Sequence, residues 1–388
     1  MADATNNDHK SGEKSHDDLT TLLDNLALKD SSGGVKIDKK LAKLQKEIDR
    51  IGFRIFECIT DKGYFAWTPL PPAQRAGTSY VSLSNVNNSD QLMISKYLDL
   101  DGKPDTLVSS SSIRTPKIFL SSFGPHEHKN EFPHGKLDII CLHVATKYRG
   151  IDFDKDDINF VFGGSTLEML ARCDDSDPYM VIRIPGTSKT ILVSKNKDYV
   201  KNLSDVGFQF ERLMTGRAMD AASSDWSTVE HLHVMNVGTF RVLFHAETDA
   251  VVTEETDSSD NDNDVPVEIK ASNPRYWGTK VMFQMISNGS TKLCHGIKSR
   301  GSLQAVKIQS LYQVAQTALL TTNTATLERN IITNMKSIQS QMKNATPGED
   351  VFKISFHGTT LSLLPMRGRS STGILPPPSI VRELLAGK

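Results

Sequence analysis

The spacing of apolar positions changes several times along this chain, and each change predicts an element. Leu41, Leu44, Ile48 and Ile51 recur at helical spacing and predict a short amphipathic helix over 38–51. IFLSSF (118–123) and LDIICLHVAT (137–146) read as strands, and INFVF (158–162), MVIRI (180–184) and KTILVS (189–194) continue the strand-rich pattern. Between 200 and 320 the order predicted is a helix at 205–216, strands at 231–237 and 240–251, an acidic loop, a strand at 265–271, a helix at 274–287 and strands at 292–297 and 302–308. Leu327, Ile331, Ile332, Met335, Ile338 and Met342 form a helical stripe within 322–343, read as core-facing. VFKISF (351–356) and LSLLP (361–365) predict two last strands that close a sheet. The pattern as a whole is α+β, with mixed β-sheets and flanking helices.

Composition narrows the organisation. Residues 1–35 are polar, end in Ser-Ser-Gly-Gly and cannot bury enough apolar surface to offset ordering entropy, so they are expected to be a disordered extension. Residues 36–366 are expected to form a single domain and 367–388 a loose tail apart from IVRELL. VVTEETDSSDNDNDVP (251–266) carries six acidic residues and no basic one, and reads as a solvated insertion in a hairpin. The formal net charge of −1 excludes a broadly basic surface, so any nucleic acid would have to meet a local patch or a bound cation. Four cysteines, Cys58, Cys141, Cys173 and Cys294, lie far apart without a CxxC pair, as expected of reduced thiols inside a cell. No apolar run approaches the ~20 residues of a membrane span. The expected compartment is therefore nucleus or cytoplasm, with no membrane partner.

The candidate chemistry lies between 205 and 290. In FRVLFHAETDAVV, Val242, Phe244 and Ala246 alternate to one side, and Glu247 and Asp249, two apart, share a face. In VPVEIKAS, Glu268 and Lys270 share a face while Val267 and Ile269 turn to apolar packing. If the two strands are neighbours, three carboxylates and an ammonium converge, and like charges so placed call for a cation. Hard Mg²⁺ or Mn²⁺ suits such oxygen ligands, and one or two such ions activate water for phosphodiester cleavage. An acidic residue followed one strand later by E-x-K is the PD-(D/E)xK arrangement, around a metal-binding pocket. Glu211 on the preceding helix would complete the metal shell. Lys280 and Gln284, four apart on one face of the following helix, would hold the phosphate. The bland alternative is charged alternation on an exposed strand.

In this order the motifs GFQFE (207–211), ETD (247–249), EIK (268–270) and Gln284 resemble the DXO-type RNA decapping nucleases, a family that includes nuclear activators of 5′→3′ exoribonucleases. LCHGIKSRGSLQAV (293–306) resembles the family's next hairpin, and the likeness runs over about 150–365. The resemblance implies two mixed sheets around a deep pocket. It implies that Glu211, Asp249, Glu268 and the main-chain carbonyl of Ile269 bind metal, with Glu247 acting directly or through water. Lys270 and Gln284 would hold the scissile phosphate or the attacking water. The implied activities are removal of incomplete or non-standard caps, release of pyrophosphate from 5′-triphosphate RNA and, in some members, 5′→3′ exonuclease digestion. One departure stands out. Family members carry an Arg in a Trp-Arg-Gly-like stretch, whereas FVFGGST (160–166) has Gly163 and Gly164 and no Arg; Arg183, Arg212 and Arg217 are candidate substitutes.

Two other readings stay open. The chain is either an active hydrolase or an inactive member that stabilises an exoribonuclease, and a nuclease of this class could instead act on DNA. Tyr276 and Trp277 are candidates for stacking on a base. His126, His128 and His134 lack a cysteine or carboxylate at zinc-ligand spacing. His231 and His233 share a strand face and read as packing residues, and His245, two before Glu247, would border the carboxylate site.

Overall fold

A computed structural model describes residues 39–67, 98–99, 104–107, 131–195, 198–200, 206–216, 228–253, 264–272, 278–299, 302–366, 375 and 378–385. The expected N-terminal extension, IFLSSF, the histidines at 126–128, Arg217, Tyr276, Trp277 and the middle of the acidic insertion lie outside the described residues. In chain order the first elements are α1 (Lys39–Ile51), β1 (Phe56–Trp67), β2 (Leu98–Asp99), β3 (Glu131–Pro133), α2 (His134–Lys147), β4 (Ile158–Gly163), α3 (Thr166–Arg172), β5 (Tyr179–Arg183), β6 (Ile191–Lys195) and β7 (Asp198–Val200). They are followed by α4 (Val206–Thr215), β8 (Thr228–Val237), β9 (Phe240–Glu247), β10 (Ala250–Thr253), β11 (Asp264–Ser272), α5 (Gly278–Asn288), β12 (Lys292–Ser299) and β13 (Ser302–Ser310). The last are α6 (Leu311–Ala318), α7 (Thr324–Gln341), β14 (Val351–His357), β15 (Thr360–Pro365) and α8 (Pro378–Leu385).

Two mixed sheets organise these elements. The larger runs β15-β14-β5-β6-β4-β9-β8-β1-β2, and the smaller β10-β11-β12-β13. In the large sheet β4 is parallel to both β6 and β9, and its neighbours beyond are antiparallel. Its central strands are apolar on both faces because both are covered. On one face Phe162, Phe244 and Val242 pack with Leu44 of α1, Leu170 of α3, Phe283 of α5, Leu311 of α6 and Ile331 of α7. On the other, Val161, Leu192, Leu232 and Leu243 pack with Ile139, Leu142 and Ala145 of α2 and with Val381 of α8. In the small sheet β11 runs parallel to β12, and Val267, Ile269 and Cys294 pack under Phe210 and Met214 of α4. The backbone at 105–107 bonds to Val251, so that the outer edge of β10 is partly covered.

Three strand expectations change. LDIICLHVAT is helix α2, not a strand. Its apolar residues run nearly all round because it is enclosed between the sheet and α8, and such a helix has no periodicity to separate it from a buried strand. The strand expected over 240–251 is two strands, interrupted at Thr248 and Asp249. There the chain leaves the large sheet, with Thr248 N–H still bonded to Val229 O at 2.9 Å, and Ala250 enters the small one opposite Val267. The strands bearing Glu247 and Glu268 are therefore not neighbours in one sheet. Both carboxylates instead act on Asp249, which lies at the junction between the sheets.

Candidate metal and phosphate site

Asp249 sits at that junction. Its Oδ2 accepts the Ile269 N–H at 2.7 Å, taking the place of a ladder bond where β10 has ended. A strand residue directs its N–H and C=O to the same side, so the Ile269 carbonyl also faces the Asp249 side of β11. Lys270 Nζ lies 3.6 Å from Asp249 Oδ2 and contacts Glu268 Oε1. Glu268 is almost fully buried at 3 % exposure, whereas the Lys270 side chain is 32 % exposed and opens the cluster to solvent.

The electrostatics show which acids share this site. Burial pushes the Asp249 carboxyl well above the usual carboxylate range; Lys270 opposes the shift, and the charges of Glu268, Glu211 and Glu247 add to it. Burial would lower the Lys270 ammonium, but Glu268, Asp249 and Glu211 outweigh burial and hold it above its ordinary value. Cys294, on the neighbouring strand, is pushed up to about 12 by burial and by Asp249. Glu211 from α4, Glu247 from β9 and Glu268 from β11 thus all act on Asp249 at the junction.

Helix α5 closes the far side. Lys280, Gln284 and Asn288 are spaced four apart and descend one face, from exposed through half-buried to buried. The half-buried Gln284 has its Oε1 shielded from solvent and, among the described residues, without a hydrogen-bond partner. Asn288 was not anticipated from the sequence. Its side-chain amide donates to Glu247 O at 3.2 Å and to the Glu268 carboxylate, tying both acidic strands to the helix end. Its own carbonyl meets His231 Nδ1 at 3.0 Å, and His231 Nε2 meets Asp61 Oδ1 at 2.9 Å. The only sequence signal for Asn288 was its place one helical turn beyond Gln284.

The site is not a closed ligand cage. Among the described residues, the group of three or more potential ligand atoms within 4.8 Å of one another is Cys141, Glu230 and His245, not the carboxylates around Asp249. Here the Lys270 ammonium draws Glu268 and Asp249 toward itself. The donor set nonetheless fits a hard divalent cation: the acids supply oxygen ligands, and a dication would offset the burial and the neighbouring charges of Glu268, Glu211 and Glu247 that raise the Asp249 carboxyl.

The stretch without the family arginine is also placed. β4 runs beside β9 with Gly163 opposite His245, so Gly163 and Gly164 lie next to the strand that ends in Glu247. Arg183 does not substitute for the missing residue. Its guanidinium bonds Ser188 O at 2.7 Å and Ala345 O at 3.2 Å, a structural role on β5. Arg212 is buried on α4 beside Glu211.

Comparison with solved structures finds a likeness of fold that sequence comparison does not. No protein-family model matches the chain, and a search of curated proteins finds no match. Rai1 of Scheffersomyces stipitis, in complex with (3′-NADP)+ and calcium ion, matches with TM-score 0.55 at 14 % identity over 85 % of this chain and 96 % of that one. This chain has the Rai1 fold. Candida albicans Rai1 in complex with pU5-Mn²⁺ matches with TM-score 0.54 at 11 % identity, covering 86 % of this chain and 96 % of that one. S. pombe Rai1 matches with TM-score 0.53 at 17 % identity over 69 % and 89 %. The mixed-sheet α+β class read from the sequence is thus the observed one.

Proposed function

We propose that the chain is a divalent-metal-dependent hydrolase of RNA 5′ ends, a DXO-type member in which residues 36–366 form the working domain. The observation that carries this reading is the crowding of Glu211, Glu247 and Glu268 around the buried carboxyl of Asp249, with Lys270 alongside. Two structures of the same fold hold a calcium ion with (3′-NADP)+ and Mn²⁺ with pU5, which supports a divalent cation and a phosphate-bearing 5′ nucleotide here.

In this reading Glu211, Asp249, Glu268 and the Ile269 carbonyl hold Mg²⁺ or Mn²⁺, and Glu247 joins them directly or through water. The bound cation supplies an activated water and neutralises charge on the scissile phosphate. Asn288 fixes the Glu268 carboxylate. Gln284 has an unused oxygen with which to orient water, and Lys270 offers its ammonium to the phosphate oxygens. Lys280, at the exposed end of the same helix face, meets the next phosphate. Water adds across a P–O bond: its oxygen bonds to phosphorus and the leaving pyrophosphate or cap oxygen takes the proton.

Purified protein with Mn²⁺ is expected to trim 5′-triphosphate or capped RNA in preference to DNA of the same sequence. Glu268→Ala and Asp249→Ala are each expected to abolish this while the fold survives. Unchanged activity in both variants would remove the proposed site. The position of Lys270 between two acids, and the absence of an Arg in 160–166, favour a second reading in which the chain is an inactive partner of a 5′→3′ exoribonuclease. Failure to bind Mn²⁺ would select that reading.

A further inference from the structure

A second polar cluster is buried beneath α2. Asp138 and Cys141 are one turn apart on that helix, Ser194 comes from β6, Glu230 from β8 and His245 from β9. Cys141 is 0 % exposed, Glu230 2 %, Asp138 3 % and His245 4 %. Around them the layer is hydrocarbon: Leu142, Val161, Leu192, Leu232 and Leu243. Two carboxylates placed there are costly unless something gathers them.

The geometry is specific. His245 Nε2 lies 2.8 Å from Asp138 Oδ1, and the other Asp138 oxygen accepts from the Ser194 hydroxyl. His245 Nδ1 lies 3.7 Å from Glu230 Oε2, and the ligand atoms of Cys141, Glu230 and His245 are all within 4.8 Å of one another. Among the described residues, neither ring nitrogen of this buried imidazole makes a well-directed hydrogen bond. One nitrogen is therefore held by a carboxylate that is itself anchored, while the other faces a second carboxylate, with the thiol close by. Proteins hold zinc in this way, with a carboxylate behind the histidine and sulfur, nitrogen and oxygen in front.

We propose that Cys141, Glu230 and His245 form a buried site for a borderline-soft dication such as Zn²⁺, with Asp138 and Ser194 holding the imidazole. The thiol proton leaves to solvent when the cation binds, and the thiolate becomes the sulfur ligand. The site differs in kind from the all-oxygen cluster at Asp249 and does not depend on the hydrolase reading. Its place suggests its use. Glu230 pairs with Glu247 across β8 and β9, and His245 stands opposite Gly163, so a cation here pins α2 to the strand end that carries Glu247.

The test is a Co²⁺ titration of the chelator-treated full chain, followed by absorption. The expected result is a near-ultraviolet thiolate-to-cobalt charge-transfer band that saturates at one ion per chain and is displaced by Zn²⁺. The band should vanish in Cys141→Ser and persist in Cys294→Ser and Asp249→Asn. If circular dichroism shows that Cys141→Ser does not fold, Glu230→Gln takes its place and should weaken cobalt binding by about tenfold or more. No band in the wild-type chain, a band that survives Cys141→Ser, or undiminished affinity in Glu230→Gln would each overturn the proposal.

Discussion

At the scale of single residues, buried groups are arranged in two contrasting ways. Asp249 and Glu268 are expensive to bury and are held by named donors, the Ile269 N–H, the Lys270 ammonium and the Asn288 amide. His233 has no such support. It is 0 % exposed, stacks on Phe244 with ring centroids 5.1 Å apart, and neither ring nitrogen has a partner among the described residues. Burial, with His231 adding to it, holds this imidazole well below its usual value of 6.5. The unfolded chain therefore takes up a proton below about pH 6.5 that the folded chain refuses, and stability falls as pH drops through that range. His233→Phe keeps the ring stacking and removes two unsatisfied atoms, for a gain of about 1–3 kcal/mol in denaturant unfolding at neutral pH. The gain should widen at pH 5.5. A variant less stable than the parent would show that His233 has a partner unseen here.

At the scale of elements, the end of α5 sets the position of Asn288. Gly289 follows it at φ +78, and a Cβ there would meet the His231 ring at 2.9 Å. Gly289→Ala therefore combines left-handed strain with displacement of the histidine that meets the Asn288 carbonyl. The expected cost is about 1–2 kcal/mol of stability, together with a fall in activity larger than the change in the folded fraction explains. Loss of stability alone would detach Asn288 from the chemistry.

The same elements show what the sequence could reveal. β11, α4 and α5 were legible because their apolar residues keep one period and because Glu211, Glu268, Lys270 and Gln284 fall at fixed offsets within them. Helix α2 was misread because it is apolar on nearly every side. The break at Thr248–Asp249 was hidden because ETDAVV continues the alternation of β9 without a Gly or Pro to mark the change of sheet. Asn288 and the Cys141–Glu230–His245 group were illegible for another reason. Each depends on contacts between residues at least 15 positions apart, which a local pattern does not carry.

At the scale of the whole molecule, two sheets meet where the acids gather, and each contributes a part. The large sheet brings Glu247, the small sheet brings Glu268 and Lys270, and Asp249 forms the passage between them. In the proposed reading a cation bound there would tie the sheets together as well as enable chemistry, so binding should stabilise the folded chain. The most direct test is a calorimetric titration of Mn²⁺ into the full chain and into Asp249→Asn. The account predicts saturable binding to the wild-type chain, a raised unfolding temperature with the ion present, and an affinity weakened by about tenfold or more in the variant. Equal affinity in the two proteins, or no binding to either, would contradict it.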